Sequence, residues 1–241
     1  MSDTLRIGVG FNGPRLSGNG GYVGGRLAEL LGRDRAVEVT FRAPIPLEQP
    51  MTVERTAADR LLLRHGETLV CEAAESTLDE LVPPGPPDDW AEVARRGRDG
   101  GSGSDSEFGT CIVCGRERAV GDGLRVLGEP GPGAGRSLSC YVAHPHHAEA
   151  DGRIGFPLVW GTLDCPGAWA AQDPDDWRPA LTGRMTAQIF ERPRAGERCA
   201  VVGWRLGVDG RKLHSATALY AEDGRLLALA RQLWIVLREG S

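Results

Sequence analysis

The chain has 241 residues, of which 41% are hydrophobic and 25% charged, and its formal net charge is -5. These proportions are ordinary for a globular protein, and charges of both signs are interspersed, so neither disorder nor a nucleic-acid or anionic-membrane partner is expected. No apolar run approaches the length of a membrane span, the first residues lack the layout of a signal peptide, and the six cysteines are too sparse for a disulfide scaffold, which predicts a cytoplasmic protein with reduced thiols.

Glycines crowd the first predicted helix. Residues 17–32 read SGNGGYVGGRLAELLG, with apolar side chains spaced as on one face of a helix that ends at Gly32. Glycine in a helix interior costs about 1 kcal/mol relative to alanine, so we expect these glycines to permit a close approach of the backbone to another group. Alternating apolar residues in 36–46 and 50–76 then predict antiparallel strands, with a hairpin turn at His65-Gly66.

The composition changes sharply in the middle of the chain. Residues 83–106 are rich in proline, glycine, serine and charged residues, which is typical of a linker. Beyond it, strands are predicted in GLRVLGEP and SLSCYVAH, on either side of the loop GPGAGR. A short second helix is predicted to begin near Pro166, and several further strands follow it. The sequence therefore predicts two structured parts, 1–82 and 107–241.

The two parts repeat one plan, in which a short helix is followed by a strand, a proline-containing turn, a strand and a glycine-turn hairpin. The motifs FNGPRLSGNGGYVGGRLA, CIVCGRERAVGDGLRV and LVWGTLDCPGAWA, with the tail that begins LTGRMTAQIFERP, resemble bacterial thioesterase-like proteins of the hotdog superfamily that fuse two hotdog units in one chain. The resemblance implies an α+β double hotdog, in which antiparallel sheets each wrap a central helix, with 1–82 and 107–241 as its units. It also implies acyl-thioester substrates, acyl-CoA above all, and self-association as a homodimer.

The resemblance gives the first helix start a chemical role. A helix N-terminus offers unpaired N–H groups, so the amides of Gly20 and Gly21 would stabilise the oxyanion formed from a thioester carbonyl. Many hotdog thioesterases have His-Gly-Gly where this chain has Asn19-Gly20-Gly21, and Asn19 is then either the helix cap or an additional amide donor. The alternative is that Asn19 only caps the helix while the glycines allow tight packing.

A carboxylate introduces the second predicted helix. Asp164 lies two residues before Pro166, and hotdog thioesterases commonly use a carboxylate that faces the bound thioester. We expect Asp164 to activate water as a general base, although direct attack and simple capping of the helix are open alternatives. The residues expected to contact the acyl thioester are Asn12, Tyr22, Trp160 and Gly167.

Cysteine and histidine suggest a competing chemistry. Cys111 and Cys114 form a C-x-x-C motif, and Cys140 with His144 would complete a tetrahedral zinc site. A second regular pair of ligands is missing, so neither a metal nor another cofactor is predicted. Cys165 would be a nucleophile if its pKa were lowered at the helix start, but buried packing is the preferred interpretation.

The predicted activity is hydrolysis of acyl thioesters, with acyl-CoA as the expected substrate. Backbone amides at the glycine-rich helix start would hold the carbonyl, and a carboxylate would activate water. The alternative is a non-catalytic protein of the same fold that binds an acyl thioester or another lipophilic ligand.

Overall fold

The computed structural model describes residues 3–100, 107–130 and 135–238. Its strands form one antiparallel sheet. They are β1 (Asp3–Arg6), β2 (Val37–Phe41), β3 (Pro50–Arg55), β4 (Leu61–His65), β5 (Thr68–Glu75), β6 (Leu127–Pro130), β7 (Arg136–Val142), β8 (Ala180–Ile189), β9 (Arg198–Asp209), β10 (Lys212–Ala221) and β11 (Leu226–Val236). The helices are α1 (Gly20–Leu31), α2 (Trp90–Asp99), α3 (Phe156–Thr162) and α4 (Asp164–Ala171). Within the described residues, none of the helices has the length and apolar character needed to cross a membrane.

Four strands on each side of the sheet's centre follow a corresponding order. The order is β1-β3-β4-β5-β2-β8-β11-β10-β9-β7-β6. The central pair, β2 and β8, contains the strands that follow α1 and α4, and it aligns Val39 with Met185. Outward from this pair, β5, β4 and β3 on one side correspond in order to β11, β10 and β9 on the other. The arrangement brings the segments that follow the two helices next to each other.

The first helix and the hairpins form where the sequence predicts them. The helix α1 buries Val23 and Leu27 on one face, as the apolar spacing indicates. It ends at Gly32, which has a φ of 139° and donates its N–H to the carbonyl of Ala28 at 2.9 Å. The turn between β4 and β5 places Gly66 at a φ of 56°, a conformation that glycine adopts at no steric cost.

The glycines of α1 allow two other helices to approach its backbone closely. A Cβ at Gly25 would lie 2.6 Å from the Cα of Pro157 in α3. A Cβ at Gly21 would lie 2.7 Å from the Cβ of Asp164 in α4. Neither distance is compatible with a side chain, so the glycines that weaken α1 as an isolated helix permit its packing against α3 and α4.

The segment predicted to be a linker contains a helix. Within residues 83–106, Asp89 caps the start of α2, where its side chain accepts hydrogen bonds from two backbone N–H groups of the first turn. The helix buries Val93. Gly97 of this helix faces Cys140 of β7, which a Cβ would approach to 2.6 Å. Because polar residues predominate in this segment, the sequence analysis did not predict the capped helix, which covers one end of the sheet. Residues 101–106 of the predicted linker, and 131–134 of the predicted GPGAGR loop, lie outside the described residues.

The second predicted helix is one of two consecutive helices. Instead of one helix that starts near Pro166, the structure has α3 and α4, joined at Leu163. Pro157 and Pro166 both lie in first turns, where proline costs little because no intrahelical partner exists for its missing N–H. The prediction placed a helix start near Pro166 with Asp164 in its first turn, and α4 agrees with it; the preceding helix α3 was not predicted. Asp164 is the first residue of α4.

Candidate functional site

A cavity of about 300 Å³ lies between the start of α1 and the start of α4. Polar groups from both helix starts line it, and β8 and β11 form part of its wall. Its lining residues include Gly18, Asn19, Gly20, Phe41, Ile45, Asp164, Trp169, Gln172, Trp177, Thr182, Trp234 and Ile235. The wall is therefore mostly aromatic and aliphatic, with a small polar group of side chains where the two helices meet.

The carboxyl group of Asp164 joins the two helix starts. It is buried and accepts three hydrogen bonds, one of them from the hydroxyl of Thr182 to Oδ1 at 2.9 Å. At Oδ2 it accepts the side-chain amide of Asn19 at 2.8 Å and the backbone N–H of Gly21 at 3.2 Å. The structure thus brings together three of the four residues predicted to be catalytic, and the fourth, Gly20, lines the same cavity.

Burial changes the acidity of Asp164. Removal of the carboxylate from water raises the pKa of Asp164 to about 6, and the nearby charge of Cys111 acts in the same direction. The hydrogen bonds from Thr182, Gly21 and Asn19 act in the opposite direction. A carboxyl group with a pKa in this range accepts a proton more readily near neutral pH than an exposed aspartate does.

Asn19 caps α1, which is one of the two alternatives that the sequence left, and its side-chain amide is engaged by Asp164; a role of this amide as an oxyanion donor stays a prediction. Its Oδ1 accepts the backbone N–H of Tyr22 at 2.8 Å, which is the capping bond of α1, while its Nδ2 donates to Asp164. The N–H of Gly21 is likewise engaged by Asp164. The two amides predicted to stabilise an oxyanion therefore differ in their surroundings. The N–H of Gly21 donates to the carboxylate of Asp164, whereas Gly20 lines the cavity.

Two substitutions separate the roles of Asn19. Asn19→Ala removes the cap and the bond to the carboxylate, and we expect it to lower the free energy of unfolding by about 2–4 kcal/mol. Asn19→Ser keeps a capping oxygen but not the amide donor, so it should recover about 1 kcal/mol of that loss. Denaturant unfolding measures both values. Equal stability of the two variants would contradict the capping role.

Two of the predicted substrate contacts lie outside the cavity near the start of α1. The side chain of Asn12 donates to Thr110 at 3.1 Å and to the carbonyl of Gly13 at 3.1 Å. The ring of Tyr22 stacks on Phe11, with the ring centroids 4.1 Å apart. Neither residue is among the described residues that line the cavity. Contact of Asn12 and Tyr22 with a substrate therefore stays a prediction, and the structure places both side chains apart from the cavity wall.

The other two predicted contacts are also packing residues. Trp160 is 1% exposed and lies against Gly24, where a Cβ would be 3.0 Å from its ring. Gly167 faces Gln232, whose Oε1 would be 2.9 Å from a Cβ at that position. The described cavity wall includes neither Trp160 nor Gly167. Both lie on sides of α3 and α4 that pack against other elements rather than on the side that faces the cavity.

The cavity also contains residues that sequence analysis did not assign to the site. Thr182 comes from β8, and no spacing rule links it to Asp164. Gln172 follows α4, is buried, and has an Nε2 group without a hydrogen-bond partner among the described residues. A buried amide donor of this kind at a cavity wall is available to a ligand.

Three cysteines form a cluster beside Asp164. The sulfur atoms of Cys111, Cys114 and Cys165 all lie within 4.8 Å of one another, and each of these residues lines the cavity. The pKa of Cys111 lies well below its ordinary value, because its sulfur is hydrogen-bonded by the thiols of Cys114 and Cys165. The bond from Cys114 has the larger effect.

The zinc set considered from the sequence does not assemble. Cys140 lies on β7 against Gly97 of α2, and His144 lies beside Gly121. Among the described residues, the metal-competent group that contains Cys111 and Cys114 includes neither of them. The alternative set of four ligands does not form, because Cys165, rather than Cys140 or His144, approaches the C-x-x-C motif.

Several solved structures are similar to this chain over nearly its whole length. A conserved protein of unknown function with a hot dog fold from Alicyclobacillus acidocaldarius is 13% identical, with a TM-score of 0.65, and the match covers 98% of this chain and 93% of that one. The tesB protein of Mycobacterium avium subs paratuberculosis is 13% identical, with a TM-score of 0.63 and coverage of 98% and 93%. A protein provisionally named thioesterase II from Thermobifida fusca is 17% identical, with a TM-score of 0.62 and coverage of 98% and 92%.

These structural similarities establish the fold. The antiparallel sheet with few helices is an α+β hotdog fold, as the sequence motifs predicted. No protein-family model matches the sequence, and no curated protein matches it either. The function therefore has to be argued from the site itself.

Proposed function

We propose that this chain is a thioester hydrolase made of two fused hotdog units, with acyl-CoA as its expected substrate. The single observation that carries the proposal is the position of Asp164, whose buried carboxyl group lies at the cavity wall and is held by the start of α1. A carboxylate and a helix N-terminus at one apolar cavity can supply the general base and the oxyanion donor for thioester hydrolysis. The thioesterase names of proteins with the same fold are consistent with it.

In this proposal, Asp164 activates water. Its carboxylate takes a proton from a water molecule, and the resulting hydroxide adds to the carbonyl carbon of the thioester. The N–H of Gly20, in the first turn of α1, stabilises the oxygen that becomes negatively charged. Collapse of the tetrahedral intermediate breaks the carbon–sulfur bond, and the proton held by Asp164 passes to the departing thiolate. The products are a carboxylic acid and a thiol, and Asp164 returns to its starting state.

The cavity favours an apolar acyl group of modest size. Its volume of about 300 Å³ is at the lower end of the range for ligand pockets, which begins at about 300 Å³. Trp169, Trp177 and Trp234 supply aromatic surface to the wall. We therefore expect turnover of short-chain and aryl thioesters to exceed that of long-chain ones, as measured by kcat/KM.

A second candidate function is binding without hydrolysis. It is favoured by one observation, namely that Asp164 already accepts three hydrogen bonds, which leaves fewer positions for a water molecule. A protein of this kind would hold an acyl thioester or another lipophilic ligand in the same cavity.

Thiol release from a series of acyl-CoAs distinguishes the two functions. A hydrolase releases free thiol in proportion to enzyme concentration, with the short-chain and aryl substrates fastest. A binding protein releases none, but its Tm rises with ligand concentration. Absence of both release and stabilisation would reject the cavity as an acyl-thioester site.

A further inference from the structure

We propose that Cys111, Cys114 and Cys165 form a binding site for one Zn²⁺ ion in the wall of the cavity. Their sulfur atoms lie within 4.8 Å of one another, and those of Cys111 and Cys165 are 3.8 Å apart. Zinc–sulfur bonds are about 2.3 Å long, so two thiolates at a tetrahedral zinc are separated by about 3.8 Å. The cysteines therefore need little rearrangement to bind the ion.

The C-x-x-C segment already has a conformation suited to a metal. The chain bends back between Cys111 and Cys114, and the N–H of Gly115 closes the bend on the carbonyl of Cys111 at 3.0 Å. The N–H of Val113 points at the sulfur of Cys111 at 3.4 Å. Hydrogen bonds of this kind orient a ligand sulfur and stabilise its thiolate form.

Glycine is required immediately after this bend. A Cβ at Gly115 would lie 2.5 Å from the carbonyl oxygen of Gly109 and 2.6 Å from the nitrogen of Cys111. The bend thus excludes any side chain at its last position. The third cysteine, Cys165, comes from α4 and is more than fifty positions away along the chain from Cys111.

The chemistry of the ligands excludes hard cations. Thiolates favour zinc over magnesium and calcium, which prefer oxygen ligands. A disulfide does not account for the cluster, because the 3.8 Å between Cys111 and Cys165 is far longer than the sulfur–sulfur bond of about 2.05 Å. Cys71 and Cys199, by contrast, are buried and join no such group among the described residues.

Three protein ligands leave one coordination position of a tetrahedral zinc. No fourth histidine, cysteine or carboxylate of the described residues joins the group. Since all three cysteines line the cavity, the fourth ligand would come from the cavity and would be a water molecule when no substrate is bound. Three protein ligands and one exchangeable position characterise zinc sites that take part in chemistry, whereas purely structural sites have four protein ligands.

Metal content tests the site without reference to hydrolysis. The reduced full-length protein is incubated with Zn²⁺, desalted, and analysed by mass spectrometry for metal per chain, and Co²⁺ is used in parallel as a spectroscopic probe. We expect one zinc per chain and a thiolate-to-cobalt charge-transfer band. Failure of the wild-type protein to retain zinc would overturn the proposal, whatever its activity on thioesters.

Serine variants identify the ligands. Cys165→Ser and Cys114→Ser should each weaken zinc binding by about 100-fold or more, because even the loss of a group that only orients a ligand costs about 10- to 100-fold. Cys140→Ser is the matched control, since Cys140 is also partly buried but lies on β7, and it should bind zinc as the wild type does. Circular dichroism confirms folding of each variant. Equal zinc retention by Cys165→Ser and Cys140→Ser would show that the cluster is not the site.

Discussion

Replacing Asp164 with asparagine is expected to lower kcat for thioester hydrolysis by about 10²- to 10⁴-fold, the usual contribution of a general base. The amide of asparagine cannot take a proton from water, although it has nearly the same size as the carboxyl group. The measurement is the initial rate of thiol release at saturating substrate. Unchanged turnover would remove Asp164 from the mechanism and leave the cavity as a binding site.

The Asp164→Asn variant should remain folded, which makes the result interpretable. The amide oxygen introduced by the substitution can accept the hydrogen bonds from Asn19 and Gly21, while the new NH₂ group donates to the hydroxyl of Thr182, which then acts as the acceptor. Asp59→Asn is the matched control, because Asp59 is exposed and hydrogen-bonds to Arg55 at the protein surface. The Asp59→Asn variant makes the same chemical change far from the cavity, and its kcat should equal that of the wild type.

Replacing Gly25 with alanine is expected to lower the free energy of unfolding by about 1–3 kcal/mol through overpacking. The new methyl group would lie 2.6 Å from the Cα of Pro157 and 2.8 Å from the Cβ of Trp160, so α1 and α3 would have to move apart. Higher helix propensity opposes this effect by up to about 1 kcal/mol. Thermal unfolding should show a decrease in Tm of about 2–4 °C per kcal/mol.

Alanine substitutions at two further glycines serve as comparisons for Gly25→Ala. At Gly24, the closest atoms to an added Cβ belong to the Trp160 ring, at 3.0 Å, and a ring can shift more readily than the backbone of α3, so Gly24→Ala should cost less than Gly25→Ala. At Gly10, no atom of the described residues lies within 4 Å of an added Cβ, and Gly10→Ala should leave Tm nearly unchanged. If all three variants had the same Tm, close contact between α1 and α3 would not be the reason for the glycines.

Local signals in the sequence were sufficient for much of the fold. The apolar spacing in α1 and the glycine at its end, Gly32, predicted that helix, and the His65-Gly66 turn predicted the β4–β5 hairpin. In residues 83–106, however, average composition was misleading. A short amphipathic helix with an Asp89 cap requires only a few apolar residues, and these are outnumbered by the surrounding polar ones.

The candidate site was only partly predictable, because it depends on packing between distant segments. Asn19, Gly20, Gly21 and Asp164 were predicted from two helix starts taken together with the resemblance to hotdog thioesterases. Which side chains face the cavity depends on how the helices are rotated against the sheet, and sequence spacing contains no such information for Thr182, Gln172 or Cys165. Their neighbours in space are fixed only after the strands have paired.

The register of the central strand pair also sets the geometry of the site. The strand β2 follows α1, and β8 contains Thr182, so the alignment of Val39 with Met185 fixes how far Asp164 lies from the start of α1. A slip of two residues would preserve which side chains face the core, yet it would displace one helix start by about 7 Å relative to the other. Hydrogen bonds of 2.8–3.2 Å between them would not survive such a slip. Substitutions in β2 and β8 therefore have to preserve the register between the two strands as well as the burial of their core side chains.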